Sequence, residues 1–384
     1  MYSKADTMQI GIALIGYGGI GRLHALCLRM LPLLYPQLPP IQLVAVQSAS
    51  QSSAERAARE LDGVITSTSL EQILSLPNVH VIDCCAPTAD HASIAAAALA
   101  AGKALFCEKP LSATAEQSQQ LVDQAQLAGL TAGVNFHFRQ LPALQEAYRL
   151  INAGMLGDLI SAHLRYYRSS NLNHDRPLSW RFYGPGSGVL ADLGSHLIDL
   201  TMHFFGPIQT LSCELRTLVT ERRDVQGQLA PVEADDVAWL EARLAGGGRC
   251  SIEASKLVPG AADDIRIEAY GTHGALFFDM ADPNGLQIVD GTQGIGARRI
   301  ATLSRSTPAA SLPTPDTSTA TLLWHAASVY AFLSAYAEGR PASPSFSDGL
   351  AVDQVIAAAR QSAREGQTWL PVTKSKGDEV DMNA

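Results

Sequence analysis

The sequence is poor in the features that would place it in several large classes. Its six cysteines, Cys27, Cys84, Cys85, Cys107, Cys213 and Cys250, form no C-x-x-C pair. No histidine cluster accompanies them at zinc-ligand spacing. They lie in apolar or alternating runs, which points to buried free thiols in a reducing compartment and to no metal site. No apolar run reaches the ~20 residues of a membrane span, and the most apolar tract, Ser93 to Ala101, is about half that. The first residues, MYSKADTMQI, lack the apolar core of a signal peptide. There are no internal repeats. Basic residues are outnumbered, 28 Lys and Arg against 37 Asp and Glu, giving a net charge of −9. Such a balance opposes binding to nucleic acid or to anionic membranes. These absences leave a soluble, cytoplasmic protein as the expectation.

What is present is an ordinary globular composition, 47% apolar and 17% charged over 384 residues. That length suggests two domains at roughly 100–200 residues each. It is long enough to bury a core without disulfides or metals. In the first part, short apolar strands alternate with helical patterns. Strands are expected over 9–15, 41–46, 79–85, 104–107 and 131–135, and helices from the glycine cluster to about Leu34 and over 54–61, 92–101 and 116–127. This alternation reads as βαβ units in a parallel sheet covered on both faces, over residues 8–135. Ala92 to Ala101 is unusually Ala-rich, and its small side chains suit close packing on a sheet.

The texture then changes. Residues 158–168, 208–217, 236–244, 249–256 and 264–270 tend to alternate, the mark of a mostly antiparallel sheet with one covered face. Residues 304–319 read as a Ser/Thr/Pro-rich loop, and 322–337 and 348–363 as helices. A second α/β domain is expected over 136–372, with a disordered tail over 373–384.

The strand at 9–15 runs into Gly16-Tyr17-Gly18-Gly19-Ile20-Gly21, which has the spacing G-x-G-x-x-G. Gly16 permits the tight turn, Gly18 lets backbone approach a pyrophosphate, and Gly21 lets the helix pack on the sheet. The helix N-terminus attracts the anion. Glycines also mark plain turns, but a preceding buried strand and a following helix are the context the motif requires. The acid that selects the ribose 2′-hydroxyl of NAD is missing after the second strand, where Gln47-Ser48-Ala49-Ser50 stands, with Arg56 further on. Hydroxyls and an arginine can meet a 2′-phosphate. The lean is therefore to NADP, although Gln47 or Ser48 could also bond the hydroxyl of NAD.

Further motifs add specificity. The strand at 104–107 ends in Glu108-Lys109-Pro110. Ala86-Pro87-Thr88 precedes His91, and residues 188–199 read GVLADLGSHLID. Gly339-Arg340-Pro341 is followed by Ser347-Asp348-Gly349-Leu350. This set resembles the glucose-fructose oxidoreductase/inositol dehydrogenase (Gfo/Idh/MocA) family over residues 9 to about 372. The one departure is Ala86, where the family's turn has Thr. The resemblance implies an N-terminal Rossmann domain and a C-terminal α/β domain with a large open sheet, often used for dimers or tetramers. It also implies an active site between the domains and dehydrogenase activity on a sugar, inositol or other polyol. Cofactor contacts are then expected from Gly16, Tyr17, Gly18, Gly19, Ile20, Gly21, Ser48, Arg56, Ala86, Pro87, His91, Glu108, Lys109 and Pro110.

Oxidising a secondary alcohol removes a hydride from carbon and a proton from oxygen. His196 suits the role of general base, because imidazole titrates near neutral pH. Asp192, four residues earlier, shares its face on a helix and can orient the ring. Lys109 can stabilise developing alkoxide. Leu190, Leu193, Leu197, Leu200 and Phe204 form one buried stripe at spacings of 3 and 4, and Asp192, His196, Asp199 and His203 form a second. Without the resemblance, that second stripe could equally be a solvated face or metal ligands. Asn135, Arg139, His174, Trp180 and Arg181 are candidates for the substrate pocket, since polyols need several hydrogen-bonding groups and often an aromatic wall. Rival readings are a non-catalytic regulator of the same fold, a redox-assisted glycoside hydrolase, and a reductase of a non-sugar carbonyl.

Overall fold

The computed structural model describes residues 9–292, 294, 296–302 and 321–372. The chain opens with strand β1 (Ile10–Ile15), helix α1 (Gly19–Leu34), β2 (Ile41–Gln47), α2 (Gln51–Glu60), β3 (Ile65–Ser67), α3 (Leu70–Leu74), β4 (Val81–Cys84), α4 (Thr88–Ala100), β5 (Ala104–Cys107), α5 (Ala115–Ala128) and β6 (Ala132–Val134). The six strands form one parallel sheet in the order β3-β2-β1-β4-β5-β6. β1, β4 and β5 are buried along their whole length, as strands covered on both faces must be. The strand order reverses direction between β1 and β4, where open sheets of this kind bind ligands.

Local chemistry moves some helix starts. Ser50 accepts the Ser53 N–H at 3.3 Å and starts α2 at Gln51, three residues before the expected Ala54. Pro87 precedes α4, which therefore begins at Thr88, not Ala92. Gly129, at φ 63°, closes α5. β3 and α3 are too short to have shown a period in the sequence.

The chain continues with α6 (Pro142–Asn152), β7 (Leu159–Tyr167), a π-helical turn at Leu190–Gly194, α7 (Ser195–Phe205), β8 (Ile208–Arg216), β9 (Glu221–Arg223), β10 (Leu229–Pro231), β11 (Val237–Leu244), β12 (Arg249–Ser255), β13 (Asp264–Gly271), β14 (Gly274–Asp279), β15 (Gly285–Asp290) and β16 (Arg298–Ala301). It ends with α8 (Thr321–Ala337), α9 (Phe346–Arg364) and β17 (Leu370–Pro371). Nine strands form a large sheet in the order β16-β15-β14-β13-β7-β12-β11-β8-β17, and β9 and β10 form a separate hairpin. All neighbours in the large sheet are antiparallel except β7 and β12. β11 alternates buried and exposed residues almost throughout, as its charge pattern implies.

The described chain forms two compact units, 9–140 with 321–350 and 141–302 with 351–372. The sequence alone groups 136–372 together, yet 136–140 and 321–350 fall in the first unit. The reason is packing. Ala326, Val329, Phe332 and Leu333 of α8 join Cys27, Leu28, Leu31 and Leu34 of α1 in one buried cluster. Gly133 on β6 admits this segment. A Cβ there would sit 2.9 Å from Phe332 and 3.0 Å from Ala342. The expected loop at 304–319 and tail at 373–384 lie outside the described residues. Among the described residues no helix is long and apolar enough to cross a membrane.

Candidate active site

The glycine loop is built for close approach. Gly16 has φ +94°, and a Cβ there would lie 2.7 Å from the Cys85 carbonyl oxygen, so the ends of β1 and β4 meet through it. A Cβ on Gly21 would fall 1.9 Å from the Gly16 oxygen. Gly18 and Gly19 instead face open space. α1 starts there with no side-chain cap and no acid in its first turn, so its N–H donors remain available to an anion. A pyrophosphate fits this cradle. Tyr17 is buried and donates from its hydroxyl to Glu60 Oε2 at 2.9 Å. Ile20 is half-buried at the start of α1.

After β2, Ser48 is only 1% exposed, and its Oγ has no hydrogen-bond partner among the described residues. Arg56 Nη2 donates to the Tyr17 carbonyl at 2.7 Å, bracing the loop from α2.

The Glu108-Lys109-Pro110 turn carries a cis peptide at Lys109-Pro110. His91 holds this turn from α4. Its ring is buried between two carbonyl oxygens, Pro110 O on Nδ1 and Ala86 O on Nε2, each at 2.9 Å. Burial lowers its pKa, while the two carbonyls oppose that shift. His91 is thus a brace between the Ala86-Pro87 turn and Pro110. Glu108, expected at the cofactor, turns inward as well. Its Oε1 accepts from Asn135 Nδ2 at 2.6 Å and lies 3.3 Å from His24 Nε2. Its Oε2 accepts the Lys109 backbone N–H at 3.2 Å.

Two candidate substrate residues are placed elsewhere. Asn135 is fully buried and belongs to the Glu108 cluster. Arg139 forms an ion pair with Asp348 at 2.9 Å, its side chain 8% exposed. Both follow β6, whose end dives into the unit because Val134 pairs with Pro344. The other three lie on the loop between β7 and the π turn. His174 is exposed, Trp180 is 36% exposed, and Arg181 stacks over the Trp180 ring at 4.1 Å.

The Asp192/His196 segment departs from the expected single α-helix. Residues Leu190–Gly194 form a π turn, and only then does α7 begin. Gly188, at φ +95°, comes so close to Asp235 that a Cβ would lie 2.0 Å from its Oδ1. Asp235 Oδ2 accepts the Leu190 N–H at 2.7 Å and anchors the turn. The Asp192 carboxylate meets Lys256 Nζ, from the end of β12, at 2.7 Å. Lys256 is buried, and the sequence reading missed it. A lysine closing an alternating strand was its only signal. His196 is 4% exposed, with the Tyr166 ring 6.4 Å away. Asp199 is buried too and His203 stacks on Tyr148 at 4.0 Å, while the Asp192 side chain is 37% exposed, so the second stripe is not a uniformly solvated face.

A parallel six-stranded sheet with an open glycine cradle and a lysine-bearing turn defines a dinucleotide-dependent oxidoreductase. Residues 10–136 match the oxidoreductase family with NAD-binding Rossmann fold, and 144–277 match the GFO/IDH/MocA C-terminal domain. Levoglucosan dehydrogenase of Pseudarthrobacter phenanthrenivorans is 30% identical over 386 residues, covering 95% of this chain and 98% of that protein. The chain belongs to the Gfo/Idh/MocA oxidoreductase family. The NAD(+)-dependent scyllo-inositol 2-dehydrogenase of Bacillus subtilis is 28% identical, over 70% of this chain and 73% of its own. The structure of levoglucosan dehydrogenase with NADH and levoglucosan superposes with a TM-score of 0.89 at 30% identity, covering 95% of this chain and all of that one. An oxidoreductase domain protein from Kribbella flavida gives 0.89 at 32% identity, over 96% of this chain and all of that one.

Proposed function

We propose that this chain is a cytoplasmic NAD(P)-dependent dehydrogenase of a cyclic sugar, inositol or related polyol, acting at a secondary alcohol or the matching ketone. The observations that carry the reading are Lys109 on a turn braced by His91 and Glu108 in the first unit, and a buried His196 with the Lys256–Asp192 ion pair in the second. Full-length similarity to a levoglucosan dehydrogenase supports a pyranose-like ring as substrate.

The nicotinamide, when bound, takes or returns the hydride. The chain supplies the rest. The loop from Gly16 to Gly21 holds the pyrophosphate. Lys109 Nζ stabilises negative charge on the reacting oxygen. A ring nitrogen of His196 takes the hydroxyl proton, and Asp192, fixed by Lys256, stabilises the imidazolium. His174, Trp180 and Arg181 offer a cation, an aromatic wall and donors to the substrate hydroxyls.

The missing carboxylate after β2 favours NADP, with Ser48 and Ser50 facing the 2′-phosphate and Arg56 nearby. The outer face of the large sheet, with His163, Arg165, Tyr167 and a 40% exposed Trp239, is the proposed self-association surface.

The test is a substrate panel of levoglucosan, inositols and aldoses against NAD and NADP. Lys109→Ala and His196→Ala should each lower kcat by about 10³-fold or more while NAD(P)H still binds, as read by nicotinamide fluorescence. Near-normal turnover in either variant sinks the assignment. A protein that binds dinucleotide but turns over nothing is a regulator. Glycoside cleavage without net change in NAD(P)H identifies the hydrolase.

A further inference from the structure

Five polar side chains from distant parts of the first unit meet in its interior. His24 comes from α1, Asp83 from β4, Glu108 from the end of β5, Asn135 from the end of β6 and His325 from α8. None exceeds 7% exposure. His24 Nδ1 lies 3.0 Å from both Asp83 oxygens. On its other side, His24 Nε2 is 3.3 Å from Glu108 Oε1 and 3.1 Å from Asn135 Nδ2. Asn135 Nδ2 is also 2.6 Å from Glu108 Oε1 and 3.1 Å from His325 Nδ1.

The hydrogens can be counted. If His24 were neutral, its one proton would face Asp83. Three acceptors, namely His24 Nε2, Glu108 and His325 Nδ1, would then share the two protons of one amide. One acceptor would go unmet, and the His24 lone pair would face a carboxylate oxygen. If His24 carries both protons, every hydrogen finds an acceptor. Nδ1–H goes to Asp83, Nε2–H to Glu108, and the two amide protons to Glu108 and His325. Reversing the amide would set its oxygen 2.6 Å from the Glu108 carboxylate oxygen, a repulsive contact.

We propose that His24 is a permanently charged imidazolium within the protein, and that it positions Lys109 by locking the Glu108 carboxylate. The second half rests on Lys109 acting in the reaction. Glu108 Oε2 accepts the Lys109 N–H, so the carboxylate fixes the peptide from which Lys109 projects. The groups facing His24 are Asp83 and Cys85 at the end of β4, Cys27 on its own helix, Glu108, and His325. Burial opposes charge on His24, yet Asp83 raises its pKa well above the ordinary value. Burial also opposes charge on Glu108, and His24 outweighs it, so the carboxyl titrates far below the usual range. The same cluster has the look of a metal site, since donor atoms of His24, Glu108 and His325 lie within 4.8 Å of one another. The Asn135 amide nitrogen, within 3.1 Å of each, already takes the place of an ion.

The first arm of the test is long-range ¹H–¹⁵N NMR of the histidine-labelled full chain, with His24 assigned by its loss in His24→Gln. Both ring nitrogens should resonate as protonated at pH 8.5, and Glu108→Gln should lower the pH at which the ring titrates. A neutral ring at pH 7.5 overturns the proposal. The second arm is kinetic. His24→Gln should lower kcat by about 10²-fold, the scale of a small misplacement of a reacting group, with NAD(P)H affinity kept. Added to Lys109→Ala, it should cost little more. An equal loss in both backgrounds overturns the positioning role. Normal turnover in Lys109→Ala would remove the catalytic reading of Lys109, while the NMR arm would still decide the charge on His24.

Discussion

His325 offers a direct measurement of how the buried cluster couples to stability. Burial, and then the charge of His24, lowers its pKa from 6.5 to about 4. At 1.36 kcal/mol per unit, that gap corresponds to about 3 kcal/mol. The folded protein holds the ring neutral, whereas the unfolded chain takes up a proton below pH 6.5. The stabilisation is therefore complete above pH 6.5 and is lost as pH falls toward 4, at up to about 1.4 kcal/mol per unit. His325→Gln keeps an acceptor for Asn135 but removes the titration. The assay is urea unfolding at intervals from pH 7.5 to 4.5, followed by fluorescence and circular dichroism, whose agreement licenses a two-state treatment. Wild type should lose about 2–3 kcal/mol more than the variant over this range. His91, lowered by its own burial, affects both proteins equally. The raised pKa of His24 acts on the other side, since its stabilisation is full below pH 6.5 and is lost as pH rises from there to the raised pKa. Parallel curves for the two proteins would refute the reasoning.

Three further outcomes follow from the site. Gly21→Ala places a Cβ 1.9 Å from the Gly16 oxygen and should lower stability by about 1–3 kcal/mol or more and abolish NADH binding. A Cβ at Gly18→Ala meets no atom of the described residues within 4 Å, so the variant should fold normally and bind dinucleotide less tightly, as thermal melts with and without NADH would show. Lys256→Met removes the ammonium from Asp192 and should lower kcat about tenfold with cofactor affinity unchanged. Unaltered steady-state kinetics would exclude a role for the pair in turnover.

Much of the architecture is local enough to be legible in the chain. β1, β5, α1 and α5 stand within a residue or two of where period and punctuation placed them. The five alternating strands of the second unit do so as well. The shifts at α2 and α4 trace to Ser50 and Pro87, cap signals outweighed by the apolar pattern. The parallel pairing of β7 with β12 was not legible, because alternation marks a half-covered strand but not its direction.

The site divides in the same way. Gly16, Gly18 and Gly21 are marked by their spacing, because a tight turn is a local geometry, whereas Lys109 and His196 stand out through the family resemblance. Composition and motif also determined the acidic character and the family resemblance. Only the tertiary structure showed that Glu108, His91 and Asn135 point inward. Their partners, at His24, Pro110 and His325, lie up to 190 residues away. It alone opened the π turn at Asp192, because Asp235, before β11, and Lys256, after β12, hold that segment. It alone returned α8 to the first unit. A sequence specifies which groups can bond. Which of them do is decided when burial removes water as the competing partner.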